Sequence, residues 1–501
     1  MKRILGFCAA LLAGGAMISS AAASGFGELE SEVKEFKLDN GLTFLVVERH
    51  EAPVFSFVTF VDAGGVDEVP GVTGIAHMFE HMAFKGTPTV GTDDYEKEAE
   101  AMKAVDDAWS AYADEFDKGF KADALKLDEL MTKFKEAQEA AKEYVVSNEF
   151  SKLLEENGVQ GLNASTGLDF TWYYYSLPSN RLELWARLEG DRMTNPVLRE
   201  FYVERDVVIE ERRFQESSPT GRLFDEVLLS AFLAHPYGTG VIGYTSDLKR
   251  ITREDAWDFF DKYYVAPNMT VCVVGDVDAK EVEQLAHKYF SGVRTGKDPR
   301  RVRTVEPEHG SEIRLTREED SQQIYAIGYH IPGSDDPNWQ AYQLLGDVLA
   351  SGRSSRLYTR LVKEDQLCSQ IFGGVGFPGE KYPNLLVVAG FLNADASPED
   401  VERVLRDEME TLVRDGVTPE ELEKVKTMNR AAFVRGLRSN QGLANQLAMY
   451  QGMHGDWKLL FDVNDQIESV TAEEIQKVAG EVLRKENSVV GVIKKPTSSP
   501  S

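Results

Sequence analysis

Between residues 33 and 293 this chain runs from alternating strand patterns into amphipathic helices, and between 313 and 495 it does so again. That repetition constrains the fold more than any other feature. At 501 residues the chain is too long for a single hydrophobic core. Two α+β domains are therefore expected, the first over residues 28–293 and the second over 313–495. The segment Arg294 to Glu312 is charged, aperiodic and interrupted by Pro299 and Pro307, and reads as the linker.

In the first half, strand patterns at Val33 to Leu38 and Leu42 to Glu48 flank Asp39-Asn40-Gly41, a hairpin turn signal, and Val54 to Asp62 forms a third strand. Strand patterns return at Leu162 to Leu177 and at Met269 to Val274. Helices are expected over Pro178 to Met193, Arg199 to Glu216 and Ala279 to Phe290. In the second half, Ile324 to Ile331 and Leu385 to Leu392 read as strands. Trp339 to Ala350, Pro398 to Asp415 and Pro419 to Leu437 read as helices. The tail from Lys494 to Ser501 is expected to be disordered.

The Pro-free stretch from Glu96 to Val146 stands apart. Met102, Val105, Trp109, Tyr112 and Phe116 repeat at alternating spacings of three and four. Leu127, Leu130, Phe134, Ala137, Ala141 and Tyr144 do the same in a shifted register, with Gly119 between the runs. This pattern predicts an antiparallel helical hairpin whose two apolar seams satisfy each other.

Composition narrows the function. A net charge of −28 argues against nucleic acid, whose phosphates require a basic surface. Lys2 and Arg3, the apolar stretch Ile4 to Ile18 and the small residues Ala21-Ala22-Ala23 form a secretory signal, with cleavage expected after Ala23. No later segment is long and apolar enough to span a bilayer. The mature protein is thus expected in a bacterial periplasm. Only Cys272 and Cys368 remain after cleavage. Export permits a bridge, but two cysteines in different domains make no disulfide framework, and they are expected to stay unpaired.

Chemistry enters at His77-Met78-Phe79-Glu80-His81. On a helix the positions i, i+3 and i+4 share a face, so both imidazoles and the carboxylate point the same way. Two neutral imidazoles four apart can hold one Zn²⁺, with the carboxylate beside its water. Pro70, Gly71 and a Thr73 cap precede the helix, and Gly86 and Pro88 follow it. The plainer alternative is an amphipathic helix with two incidental histidines. A tetrahedral catalytic zinc needs a third protein ligand. Glu204 and Glu211, seven apart and almost two turns along one helix, offer one ligand and one outer carboxylate. Gly374 to Gly379 fits G-x-G-x-x-G, but Pro378 and Pro383 prevent it from opening a helix, and it reads as a loop.

These runs together resemble the pitrilysin and insulinase family of zinc peptidases, whose zinc motif is H-x-x-E-H. They are most similar to its short branch, which includes mitochondrial processing peptidase and many bacterial zinc proteases. The resemblance is carried by Leu38 to Leu42, by His77 to Thr87, by Leu162-Asn163-Ala164-Ser165-Thr166, by Glu204 to Glu211, by His235-Pro236-Tyr237-Gly238 and by Ser351 to Tyr358. It implies two homologous domains, each an antiparallel-rich sheet flanked by helices, with only the first carrying zinc.

Residue by residue, the resemblance implies His77, His81 and Glu211 as ligands of one zinc per chain. Glu80 becomes the general base. Glu204 becomes an acidic residue close to the site, and Asn163 and Ala164 the edge that holds substrate backbone. His235 matches a family position and reads as structural.

The implied activity is zinc-dependent endopeptidase cleavage of peptides or unfolded polypeptides, with a zinc-activated water and Glu80 as base. Family members close a chamber from two such halves, so a second copy or a related subunit is the expected partner. The gap from His81 to Glu211 exceeds the family's usual length by the helical hairpin, which therefore reads as an insert of about residues 96–146 looping out of the catalytic domain. The competing expectations are a non-catalytic structural or partner subunit of the same family, and a periplasmic peptide-binding protein without turnover.

Overall fold

The computed structural model describes residues 27–297, 299 and 301–496. The expected signal segment and the last residues of the tail lie outside them. Among the described residues no helix is long and apolar enough to cross a membrane.

The first half builds a six-stranded sheet from β1 (Lys34–Lys37), β2 (Thr43–Glu48), β3 (Val54–Val61), β4 (Gln160–Thr166), β5 (Thr171–Pro178) and β6 (Met269–Gly275), in the order β1-β2-β6-β3-β5-β4. The second half builds five strands, β7 (Ile313–Glu318), β8 (Ile324–Ile331), β9 (Cys368–Phe377), β10 (Asn384–Leu392) and β11 (Ser488–Lys494), in the order β7-β11-β8-β10-β9. The two orders are the same topology. In each sheet one parallel pair, β2 with β6 and β7 with β11, is followed by three antiparallel pairs. The α+β class and the two homologous domains thus follow from the register itself, with β1 as an extra edge strand.

The central strands β3, β6, β8 and β10 are buried along nearly their whole length. Such strands have both faces covered, and therefore lack the polar alternation of a half-exposed sheet. The helices that cover the second faces come from the opposite half. Helix Pro219–Ala231 of the first half lays Leu223 and Val227 against Ile324, Ala326, Val387 and Ile493. Helix Asn440–His454 of the second half lays Leu443, Leu447 and Ala448 against Leu45, Val58, Phe60 and Val274. Gly452 allows the close approach, since a Cβ there would fall 2.2 Å from the Phe60 ring.

The linker is held rather than loose. The Glu306 carboxylate accepts the backbone amides of Leu233, Ala234 and His235, each at 2.9 Å. Arg301 pairs with buried Asp62. Both expected cysteines are buried and free.

Three expectations need correction. Gly374 to Phe377 belong to β9, and only the residues after them form a loop. Lys494 is not part of a disordered tail but the last residue of β11, paired with Glu318 of β7. The third concerns the hairpin. Its helices, Tyr95–Phe116 and Ala124–Lys142, form as expected around Gly119, which turns the chain at φ +58°. Its seam, however, is shared with the body of the domain. Trp109 and Phe134 lie 5.1 Å apart by ring centroid, and each is 5.3 Å from Tyr202. The Arg205 guanidinium stacks 3.9 Å from the Trp109 ring, and buried Glu98 pairs with buried Arg199 at 2.7 Å. The spacing showed two stripes but not the third helix on which they close, so the hairpin packs on the domain instead of looping out.

Candidate metal centre

The motif lies on helix Ile75–Met82. Ile75, Ala76, Met78, Phe79 and Met82 fill the core, leaving His77, Glu80 and His81 on the opposite face. Thr73 does not cap this helix. Its hydroxyl donates to Asp247 at 2.7 Å and accepts from the Tyr244 amide. The cap is the Glu68 carboxylate, which takes the amides of Gly74 at 2.7 Å and Ala76 at 2.9 Å. Gly74 sits at φ +88°, and a Cβ there would meet the Ile242 carbonyl at 2.3 Å, so only glycine fits. Beyond the helix, Arg199 gathers the carbonyls of Lys85, Thr87 and Val90 and fixes the exit loop.

The facing helix, Phe201–Ser217, buries Tyr202, Arg205, Val208, Ile209 and Arg212 and turns Glu204 and Glu211 toward the motif. Glu211 Oε2 lies 3.7 Å from His77 Nε2, and its Oε1 lies 3.8 Å from His81 Nε2. One donor atom from each of the three falls within 4.8 Å of the other two, the one such group among the described residues. Neighbouring Glu210 turns outward to Arg213. Glu204 approaches His81 from behind, with Oε2 3.4 Å from Nδ1, and its Oε1 is held by Lys85 Nζ at 2.5 Å. This arrangement leaves His81 Nε2 facing Glu211 with its lone pair available.

The electrostatics follow from burial and partners. Burial, aided by His81, pushes His77 down to about 4, so its imidazole is neutral at ordinary pH. For His81, burial acts downward but is outweighed by the carboxylates of Glu204, Glu211 and Glu80, and the net direction is up. The bond from His81 holds Glu204 at about 2 against its burial, with Lys85 adding to the effect. Glu80 is raised, chiefly by burial, while a hydrogen bond from Thr166 Oγ1 at 2.6 Å opposes the shift.

The donor set fits zinc. Bond lengths of about 2.0 to 2.1 Å place tetrahedral ligands about 3.3 Å apart. The observed spacings of 3.7 and 3.8 Å come within a small side-chain rotation of that. The corresponding helix of the second half, Trp339–Ala350 between β8 and β9, carries neither histidine nor glutamate.

β4 is the open edge of the first sheet. Ala164 lines a cleft of about 880 Å³ together with His77, Glu80 and Glu211, while Phe224 and β9 of the second half form the far wall. Asn163 is exposed, and its Oδ1 turns back to accept the Ala164 amide at 2.9 Å. His235 lies away from the centre, buried, with Nδ1 accepting the Tyr237 amide at 3.2 Å, which is a structural role. No local signal in the sequence marks a role for Glu68, Lys85 or Thr166, although Lys85 lies within one of the runs that carried the resemblance and Thr166 ends another.

Two copies of one sheet topology, with a metal-competent H-x-x-E-H face on the first copy alone, are the arrangement that the resemblance to zinc peptidases implies. The comparisons give it a family. Residues 44–142 match Insulinase (Peptidase family M16), and residues 250–429 match Peptidase M16 inactive domain. The chain belongs to the M16 peptidase family. It is 26% identical over 503 residues to Zinc protease PqqE of Helicobacter pylori, covering 99% of each chain. The solved structure of a protease from Helicobacter pylori superposes with a TM-score of 0.76 at 26% identity, covering 92% of this chain and 99% of that one. The periplasmic protease PqqL from Escherichia coli shares the fold with a TM-score of 0.66 at 17% identity. There 93% of this chain covers 48% of that one.

Proposed function

We propose that this chain is a zinc-dependent endopeptidase acting on peptides or unfolded polypeptides in the periplasm. The observation that carries the reading is the convergence of His77, His81 and Glu211 from two helices, with Glu80 on the same helix face and hydrogen-bonded by Thr166. Zinc bound there supplies Lewis acidity toward water and the substrate carbonyl. Glu80, raised by burial, takes the proton of the attacking water and passes it to the leaving amine. Glu204, kept anionic by His81 and Lys85, orients the His81 ring. The open edge of β4 at Ala164 pairs with an extended substrate backbone, which gives affinity with little sequence preference. The periplasm is supported by the signal pattern at residues 1–23 and by the likeness to the fold of a periplasmic protease.

The test measures zinc per chain and hydrolysis of an unstructured peptide by the mature protein and by Glu80→Gln. Chelation should abolish hydrolysis and Zn²⁺ restore it. Glu80→Gln should keep its zinc and lose about 10² to 10⁴ in rate. Zinc binding without turnover would favour the alternative, a non-catalytic subunit. That reading is supported by the match of the motif-free half to an inactive domain.

We also propose that the site is closed in trans. This chain spans about half of the PqqL fold, and a second copy or a related chain would supply the other half. Light scattering and activity across a dilution series should show specific activity falling as the assembly dissociates. A monomer with full activity at high dilution rules the proposal out.

A further inference from the structure

We infer that Thr166 is the positioning residue for Glu80, tying the base to the strand that receives the substrate. This inference rests on the peptidase reading and extends it to a residue outside the metal motif.

Thr166 is the last residue of β4. Glu80 lies on the motif helix between the two histidines and outside the group of three metal-competent donors. Of the groups around it, His81 and Glu211 act through space. Its carboxylate Oε2 accepts a 2.6 Å hydrogen bond from Thr166 Oγ1. The Thr166 backbone bonds the carboxylate as well, so one residue holds the base on the cleft that it lines. A free carboxylate explores several rotamers, and a base acts only when it lies within hydrogen-bond reach of the proton it takes.

The tether also has a direction. β4 pairs with β5 on one side and is open on the other, beside Ala164 and Ser165 in the cleft. A peptide added to that edge orders the strand, and through Thr166 it orders the base. Substrate alignment and base alignment then become one event. A non-polar side chain of the same shape at 166 would keep the strand and its backbone bond but remove the hydroxyl that fixes the Glu80 carboxylate.

The test uses the full mature chain as wild type, Thr166→Val and Thr166→Ser. Zinc content, kcat and KM on an internally quenched unstructured peptide, and the visible absorption of the Co²⁺-substituted protein are measured for each. Thr166→Val should keep full metal occupancy and a KM within about twofold, and lose about tenfold or more in kcat. Thr166→Ser, which keeps the hydroxyl, should recover to within about threefold. The cobalt band should shift in Thr166→Val and not in Thr166→Ser.

A kcat unchanged in Thr166→Val, a loss confined to KM, or failure of serine to rescue overturns the inference. The cobalt spectrum needs no turnover. A wild type that hydrolyses no peptide, together with a cobalt band that shifts in Thr166→Val and not in Thr166→Ser, refutes the peptidase reading and leaves the tether standing.

Discussion

At the scale of single residues, the adjacent pair Glu210 and Glu211 shows how finely a helix sorts identical side chains. One position is a rotation of about 100°, and it sends Glu211 between two imidazoles and Glu210 out to Arg213. Glu211→Ala should therefore lose zinc, whereas Glu210→Ala should bind it as the parent does. Glu204→Ala should lie between them, with zinc affinity down by about 10- to 100-fold, because it removes the carboxylate behind His81 rather than a donor. Equilibrium dialysis against a zinc buffer ranks the three, and full occupancy in Glu211→Ala would displace it from the ligand set. The shared face of His77, Glu80 and His81 was legible from their spacing along one helix, whereas the choice of Glu211 over Glu204 on a second helix came from the family resemblance. Glu68 and Thr166 were not legible. Their partners lie 8 and 86 positions away across turns and strands, and no local period marks a contact of that kind.

At the scale of elements, the hairpin is the instructive case. Its two helices were legible from their stripes, and its docking was not. Tyr202 and Arg205 look like ordinary members of an amphipathic helix until Trp109 and Phe134 are placed against them. The hairpin thereby braces the back of the helix whose front presents Glu204 and Glu211. Trp109→Ala should cost about 3 to 5 kcal/mol, the usual loss for a large buried aromatic ring. It should also take from the buried Arg205 guanidinium the nearer of its two stacking partners, leaving Tyr202 at 4.9 Å. Urea unfolding of the metal-free protein measures the loss. A change below about 1 kcal/mol would show that the seam closes without the domain.

At the scale of the whole molecule, the halves were legible as a repeat, but their mutual dependence was not. Each helix that crosses over has an unremarkable apolar face, and nothing local says which sheet it covers. Residues 28–293 expressed alone should leave the face of Leu45, Val58 and Val274 bare, together with the helix Pro219–Ala231, and should aggregate. A soluble, folded fragment on circular dichroism and light scattering would contradict that expectation. The same crossing has a second consequence. Because each half clasps the other by a helix of its own, the covalent connection between them is nearly redundant. A protease nick at the exposed stretch Arg294 to Lys297 should pass unnoticed by the fold. Two fragments produced together, so that each covers the other's bare face as it folds, should complement one another, and one gene product then behaves like a heterodimer that happens to be joined by a thread.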